Sequence, residues 1–335
     1  MKARIIQGDC IEVMRTLDAG SVQTCVTSPP YWGLRDYGVE GQIGLESTPD
    51  GYITRMVEVF REVRRVLRDD GTLWLNLGDS YNSAASKQNG MNGTLGGGKP
   101  CGGNGTTAGR RPMLATMKPK DLCMIPWRVA LALQADGWWL RSVIVWAKKS
   151  PMPESVTDRP TSSWEPIFLM AKSERYFYDA EAVKENTDAP PDIRSRASTF
   201  KKQGSVGNHL NGNPIITNIG RNQRNVWHLG PEPYAEAHFA TFPTEIPRRC
   251  ILAGSRTGDT VLDPFNGSGT TGAVAVQHGR NYVGIELNPA YIELAKDRIG
   301  KARNPATYQS QKVVDAPLFG IEPLAEYCER AKEAK

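Results

Sequence analysis

The sequence predicts an α/β protein with a mainly parallel sheet and helices on both of its faces. Three features point there. Short apolar runs of strand length alternate with amphipathic helical stretches over most of the chain. Residues 261–272 read as strand, glycine turn and helix start. The run at 22–26 leads into Thr27-Ser28-Pro29-Pro30, where two prolines force the chain out of any ladder. With 335 residues, 39% of them apolar, the chain can bury a large core in one large domain or two.

Residues 3–7 read as the first strand, and 10–17 as a helix because Ile11, Val13, Met14 and Leu17 return at helical spacing. After the strand at 22–26, residues 52–67 place Ile53, Met56, Val57, Phe60, Val63, Val66 and Leu67 on one helical face, with Asp50 as the cap and Gly71 closing the helix. A strand at 72–77 comes next. The alternation resumes with a helix at 122–134 and strands at 139–146 and 166–170. Strand 260–263, helix 270–277, strand 282–286 and helix 291–299 complete it. Beyond 303 lies a tail with one candidate helix, 322–334, and no chemistry that can be named.

Two segments break this rhythm. Residues 86–112 hold nine glycines and end in Arg110-Arg111, which suits either a surface loop or a flap that folds over a ligand or a phosphate backbone. Residues 183–230 are polar and basic, with Arg194, Arg196, Lys201, Lys202, Arg221 and Arg224 set among Asn, Ser, His209 and Trp227. An insertion of this length within an α/β domain points to function.

The overall charge of +5, from 41 Lys and Arg against 36 Asp and Glu, is too small to name a nucleic-acid partner by itself. None of the six cysteines forms a CxxC pair, and no long apolar run follows the first charges. A reducing cytoplasm is therefore expected, with no structural metal, no export signal and no membrane span.

In Asp263-Pro264-Phe265-Asn266-Gly267-Ser268-Gly269-Thr270-Thr271-Gly272 the glycines let backbone amides approach a ligand with no Cβ in the way. Glu286, at the end of the next strand, is placed to hold two ribose hydroxyls. Because 267–272 satisfies GxGxxG and Glu286 follows Gly267 by 19 residues, an NAD-dependent oxidoreductase fits on spacing. Asp263 tilts the balance, since a carboxylate there repels a pyrophosphate and attracts a cation. S-adenosylmethionine, with a ribose, no phosphate and a sulfonium, suits such a turn better.

Val26-Thr27-Ser28-Pro29-Pro30-Tyr31-Trp32 is the most specific string in the chain. A hydroxyl at a strand end, a rigid diproline aiming a carbonyl outward and an aromatic ring form a slot for a flat heterocycle bearing an amino group. Ser28 and the Pro29 carbonyl accept from the NH2 while Tyr31 stacks on the ring. Carbon-5 cytosine chemistry needs a thiolate beside proline instead, and Pro100-Cys101 lacks the surrounding motif.

With its SPPY motif ahead of an FxGxG motif, the chain resembles the beta group of DNA amino-methyltransferases over about residues 4–300. The matching pieces are 26–32, the cofactor motif 263–271 with Phe265, Gly267, Ser268, Gly269 and Thr270, and 283–289 with Glu286. Residues 238–243, ending in Phe242 and Pro243, resemble the segment that packs on the cofactor, and Gly8-Asp9-Cys10 resembles the motif near its adenine. The resemblance implies a seven-stranded sheet, S-adenosylmethionine as donor, a base flipped out of duplex DNA and in-line transfer to its amine, with Ser28, Pro29, Pro30 and Tyr31 as the catalytic set.

On this reading 1–182 is the catalytic half, 183–230 the target-recognition insertion, 231–302 the cofactor half and 303–335 the tail. The basic residues of the insertion, together with Arg110 and Arg111, are the DNA-contact candidates. Adenine-N6 and cytosine-N4 stay open as targets, as do a homodimer, a cognate restriction endonuclease or an orphan role, and a bacterial or phage source. A non-catalytic DNA-binding protein is the remaining alternative.

Overall fold

The computed structural model describes residues 1–83, 113–151, 153–185, 192–194, 215–217, 221–230, 242–303 and 321–323. The 86–112 segment with Arg110 and Arg111 falls outside these residues. So do Arg196, Lys201, Lys202, residues 238–241 and most of the tail.

In chain order the elements are β1 (Ala3–Gln7), α1 (Cys10–Arg15), β2 (Val22–Thr27), α2 (Pro49–Val66), β3 (Leu67–Asn76), α3 (Ile125–Ala135), β4 (Trp139–Lys148), β5 (Trp164–Ala171), β6 (Asp192–Arg194), β7 (Ile215–Thr217), β8 (Val226–Leu229), α4 (Glu245–Gly254), β9 (Thr260–Asp263), α5 (Thr270–Gln277), β10 (Asn281–Glu286), α6 (Pro289–Arg303) and β11 (Ile321–Pro323). One sheet runs β11-β1-β10-β9-β2-β3-β5-β4-β8. Its seven inner strands are the expected ones, and β8 and β11 add a short strand at each edge. Every pairing is parallel except the two made by β5, which runs against β3 and β4.

Helices α1 to α3 pack together, as do α4 to α6. The apolar core gathers α1, α2 and α3 with the inner strands, and all six residues of β2 are buried, as a strand covered on both faces requires. The chain divides into two compact units, Met1–Tyr178 with Asn225–Lys335, and Asp179–Arg224. Within the smaller unit β6 and β7 pair antiparallel.

Several local expectations are corrected. Helix α2 starts earlier than expected, with Thr48 rather than Asp50 as the cap. The Gly51 N–H donates to Thr48 Oγ1 at 3.1 Å and proline occupies the first turn. Gly71 does not close α2. It lies inside β3, at a bulge where pairing with β2 jumps from Val22–Leu67 to Thr24–Thr72, and a Cβ there would sit 2.9 Å from the Arg68 carbonyl oxygen. Helix α3 begins at Ile125 rather than 122. Glu322, expected to open a tail helix, lies in β11 beside β1. Trp227, read as part of the polar insertion, is a buried residue of β8 with the Arg249 guanidinium 5.2 Å from its ring.

Strands β9 and β2 are neighbours, yet the chain leaves β9 toward β10 on one side and leaves β2 toward β3 on the other. Such a switch point opens a crevice at the carboxyl ends of the strands. The reversed β5 brings its first residues to that same edge, beside the last residues of β3 and β4.

Gly272 lets α5 approach its neighbours, since a Cβ would come 2.5 Å from both Ile299 Cδ1 and Tyr282 Cε1. Gly272→Ala should lower stability by about 1–3 kcal/mol in urea unfolding, with the slope unchanged. A loss within about 0.5 kcal/mol would show instead that α6 moves aside freely.

Candidate active site

A cavity of about 440 Å³ opens at the switch point and brings both sequence motifs into one space, with Ser28, Pro29, Pro30 and Tyr31 on one wall and Asp263, Phe265, Gly267, Ser268, Thr270 and Glu286 on another. The walls are joined at their base. Thr27 Oγ1 donates to Asp263 Oδ1 at 2.7 Å, linking the end of β2 to the end of β9. The Phe265 N–H donates to the same oxygen at 3.1 Å. Burial raises the Asp263 carboxyl to about 6, against the lowering effect of its donors.

Glu286 closes the glycine turn. Its Oε2 accepts from the Gly267 N–H at 2.7 Å and its Oε1 from the Asn288 N–H at 2.8 Å. Its carboxyl is raised, first by burial and further by the nearby Asp263 charge. Gly267, at φ +50°, lines the cavity and a Cβ there would meet only the Phe265 carbonyl oxygen at 3.9 Å, whereas Gly269, at φ +78°, has no room for a Cβ beside Ala295, 2.9 Å away. The glycines therefore divide their work, the first toward the cavity and the other toward helix packing.

Asp9 caps α1, its Oδ1 accepting from the Ile11 and Glu12 N–H groups at 2.9 and 3.1 Å, while Oδ2 faces Arg55 at 3.4 Å. Cys10 also lines the cavity, and burial, helped by Asp9, pushes its thiol up to about 12. Phe242 lines the cavity as well. Pro243 does not, and its carbonyl instead accepts from the Ile246 N–H at the start of α4.

The turn after β2 is fixed from below. Tyr52 donates to the Pro30 carbonyl at 2.9 Å, and the Tyr31 ring lies against Gly78, where a Cβ would come 2.3 Å from Tyr31 Cε2. Behind Ser28 lies a polar chain that sequence reasoning missed. Tyr31 Oη donates to Glu165 Oε2 at 2.7 Å, and Lys148 Nζ lies 2.5 Å from Glu165 Oε1. The Asn76 amide donates to Glu165 Oε2 and to the Pro166 carbonyl at 3.2 and 3.1 Å, and its Oδ1 lies 3.4 Å from Ser28 Oγ. Burial, then Glu165, raises Tyr31 well above the usual phenol range, so its hydroxyl stays protonated. Asn76, Lys148 and Glu165 carry no local motif and meet only through strand register. Arg298 was missed too. It donates to Ser268 and Thr270 at 3.1 and 2.7 Å.

Of the basic residues expected at DNA, the structure describes the side chains of Arg221 and Arg224. Both donate to Glu185, at 2.8 and 2.9 Å, while remaining 50% and 63% exposed, so one carboxylate offsets two guanidiniums. Arg194 lies in β6. None of the described helices is long and apolar enough to cross a membrane.

A family model described as DNA methylase matches residues 22–297. The Type II methyltransferase M.Cfr9I of Citrobacter freundii is 49% identical over 303 residues, covering 89% of this chain and 87% of that protein. M.SmaI of Serratia marcescens is 46% identical over 301 residues, covering 90% and 91%. Among solved structures, the cytosine-N4-specific PvuII DNA methyltransferase shares the fold with TM-score 0.59 at 17% identity, covering 100% of this chain and 94% of its own. A putative DNA modification methylase of Thermus thermophilus, complexed with S-adenosyl-L-methionine, superposes with TM-score 0.54 at 24% identity over 90% and 96% of the two chains. The spacing that fitted a nicotinamide dehydrogenase thus belongs to another chemistry, and the chain belongs to the N6/N4 DNA methylase family.

Proposed function

We propose that this chain transfers a methyl group from S-adenosylmethionine to the exocyclic amine of an adenine or cytosine flipped out of duplex DNA. The reading is carried by one observation: the hydroxyl-diproline-tyrosine turn and the acidic glycine turn open onto one cavity and are joined by the Thr27–Asp263 hydrogen bond.

The residues suit the cofactor. Gly267 leaves a cradle that a Cβ would narrow, and Asp263 and Glu286 supply negative charge at that wall. A volume of about 440 Å³ lies in the range of small-molecule sites. Asp9 and Cys10 are assigned to the adenine end, Glu286 to the ribose and Phe242 to the other face of the cofactor, and all four line the cavity. When bound, S-adenosylmethionine supplies an electrophilic methyl on a sulfonium.

Ser28 Oγ and the Pro29 carbonyl, both in the cavity wall, are assigned as acceptors of the two amine hydrogens. Accepting both favours a pyramidal nitrogen whose lone pair is directed at the methyl. Tyr31 supplies the face on which the base stacks. Apolar Leu34, Val39 and Ile43 line the same cavity and exclude water from the transfer. Positioning and desolvation carry the rate, and no covalent nucleophile takes part.

The Type II designation of the relatives accords with a cognate restriction endonuclease, and we extend that partnership, with a bacterial cytoplasmic setting, to this chain. Arg221 and Arg224 are assigned to the DNA phosphates, within the target-recognition segment.

Duplex DNA incubated with methyl-labelled S-adenosylmethionine, then digested to nucleosides, should carry label on methyladenine-N6 or methylcytosine-N4. Ser28→Ala should lower the single-turnover rate by about 100-fold or more, and no label from the unmodified protein overturns the reading. Ionised Asp263 favours a cation, so calorimetric affinity for S-adenosylmethionine should rise about tenfold from pH 5 to pH 7, across a carboxyl held at about 6. Asp263→Asn should flatten that rise. Replacing Arg221 and Arg224 together by Gln should weaken DNA binding alike for all sequences and reduce the salt slope by about 1 to 2.

A further inference from the structure

The polar chain behind Ser28 has a fixed direction. Lys148 only donates, and its ammonium, 4.9 Å from the Trp146 ring, holds Glu165 Oε1. Glu165 Oε2 then receives the Tyr31 hydroxyl at 2.7 Å and the Asn76 amide at 3.2 Å. The Asn76 amide is oriented a second time by the Pro166 carbonyl at 3.1 Å, so its Oδ1 must face Ser28 and Tyr31. Tyr31 has one proton and gives it to the nearer, charged acceptor. Among the described residues the Ser28 proton is left with two acceptors, Asn76 Oδ1 at 3.4 Å and Tyr31 Oη at 3.5 Å, both on the inner side. The outward side of Ser28 Oγ is then lone pair, the polarity an amine hydrogen requires.

We propose that Glu165, clamped by Lys148, is a positioning residue that sets the direction of every hydrogen bond in this chain and so makes Ser28 an acceptor toward the target amine. The inference rests on the methyl-transfer reading and adds to it a residue outside both sequence motifs. Glu165 is 16% exposed and lines the same cavity, and its hydrogen bonds run to Tyr31 and Asn76 rather than to Ser28. It acts through Tyr31 and Asn76.

The isostere Glu165→Gln tests this. Lys148 can be satisfied only by the new amide oxygen, so the amide nitrogen must face Tyr31 and Asn76 as a donor. Tyr31 then turns its proton to Asn76 Oδ1, 3.1 Å away, where it competes with the Ser28 hydroxyl at 3.4 Å, and the Ser28 proton is freed to turn outward. Methyl transfer in a single turnover, at saturating DNA and S-adenosylmethionine, should fall on the order of 10- to 100-fold. Both dissociation constants and the melting temperature should stay near those of the unmodified protein, separating kcat from KM.

The same substitution in a Tyr31→Phe background should cost only about twofold, because the hydroxyl whose proton Glu165 directs is gone and only Asn76 still links it to Ser28. Equal losses in the two backgrounds, an unchanged rate, or a loss confined to binding would overturn the proposal. If Glu165→Gln proves unstable, Lys148→Ala frees the carboxylate without altering it and is read in the same cycle, where additivity again refutes. No label from the unmodified protein refutes the methyl-transfer reading itself, whereas an active protein with additive variants refutes only the role of Glu165.

Discussion

The hydrogen bond from Thr27 to Asp263 joins residues 236 positions apart and ties the ends of β2 and β9, adjacent strands about 4.8 Å apart, to one another. The catalytic turn and the cofactor turn leave these two strand ends and open onto one cavity. The bond also satisfies part of a carboxylate that is 3% exposed, and burial still raises that carboxyl to about 6. Asp263 is thus both a structural strut and a charge at the donor end of the cavity.

The two ends of the cavity differ electrostatically. Around the glycine turn both acids are raised by burial, and the Asp263 charge raises Glu286 further, an arrangement that a cationic ligand relieves. At the catalytic end the only described ionic groups against Tyr31 and Asn76 are Glu165 and Lys148, which form a pair. A neutral amine meets a locally neutral wall, and a sulfonium meets a negative one. The slight positive excess of the chain conceals this division.

Much of the site was legible in sequence because its chemistry is local. Ser28 to Tyr31 and Asp263 to Thr270 are short strings whose turns are dictated by proline and glycine, and Glu286 follows at a strand length. The inner strands were legible for the same reason, being compact apolar runs. What was not legible depends on register. Asn76 reads as the end of a strand, Lys148 and Glu165 as ordinary charges, and nothing nearby in the chain announces that they meet. Thr48 and Asp50 are both residue types that cap, and only the backbone decides between them. Gly71 resembles a helix stop because a bulge and a helix end call for the same residue. Arg298 reaches the glycine turn from a helix whose own pattern speaks only of packing.

The reversal of β5 has a consequence for how such an enzyme can change. A strand of eight residues spans about 26 Å, so in an all-parallel sheet Glu165 would lie at the far edge, and only a long loop could bring a carboxylate to Tyr31. Antiparallel pairing with both β3 and β4 delivers it instead from the middle of hydrogen-bonded sheet. The segments that enter and leave these strands can then differ in length and sequence, as a change of DNA target would demand, while the groups that aim the reacting amine stay in place. Reading DNA and transferring the methyl become separable problems for the same chain.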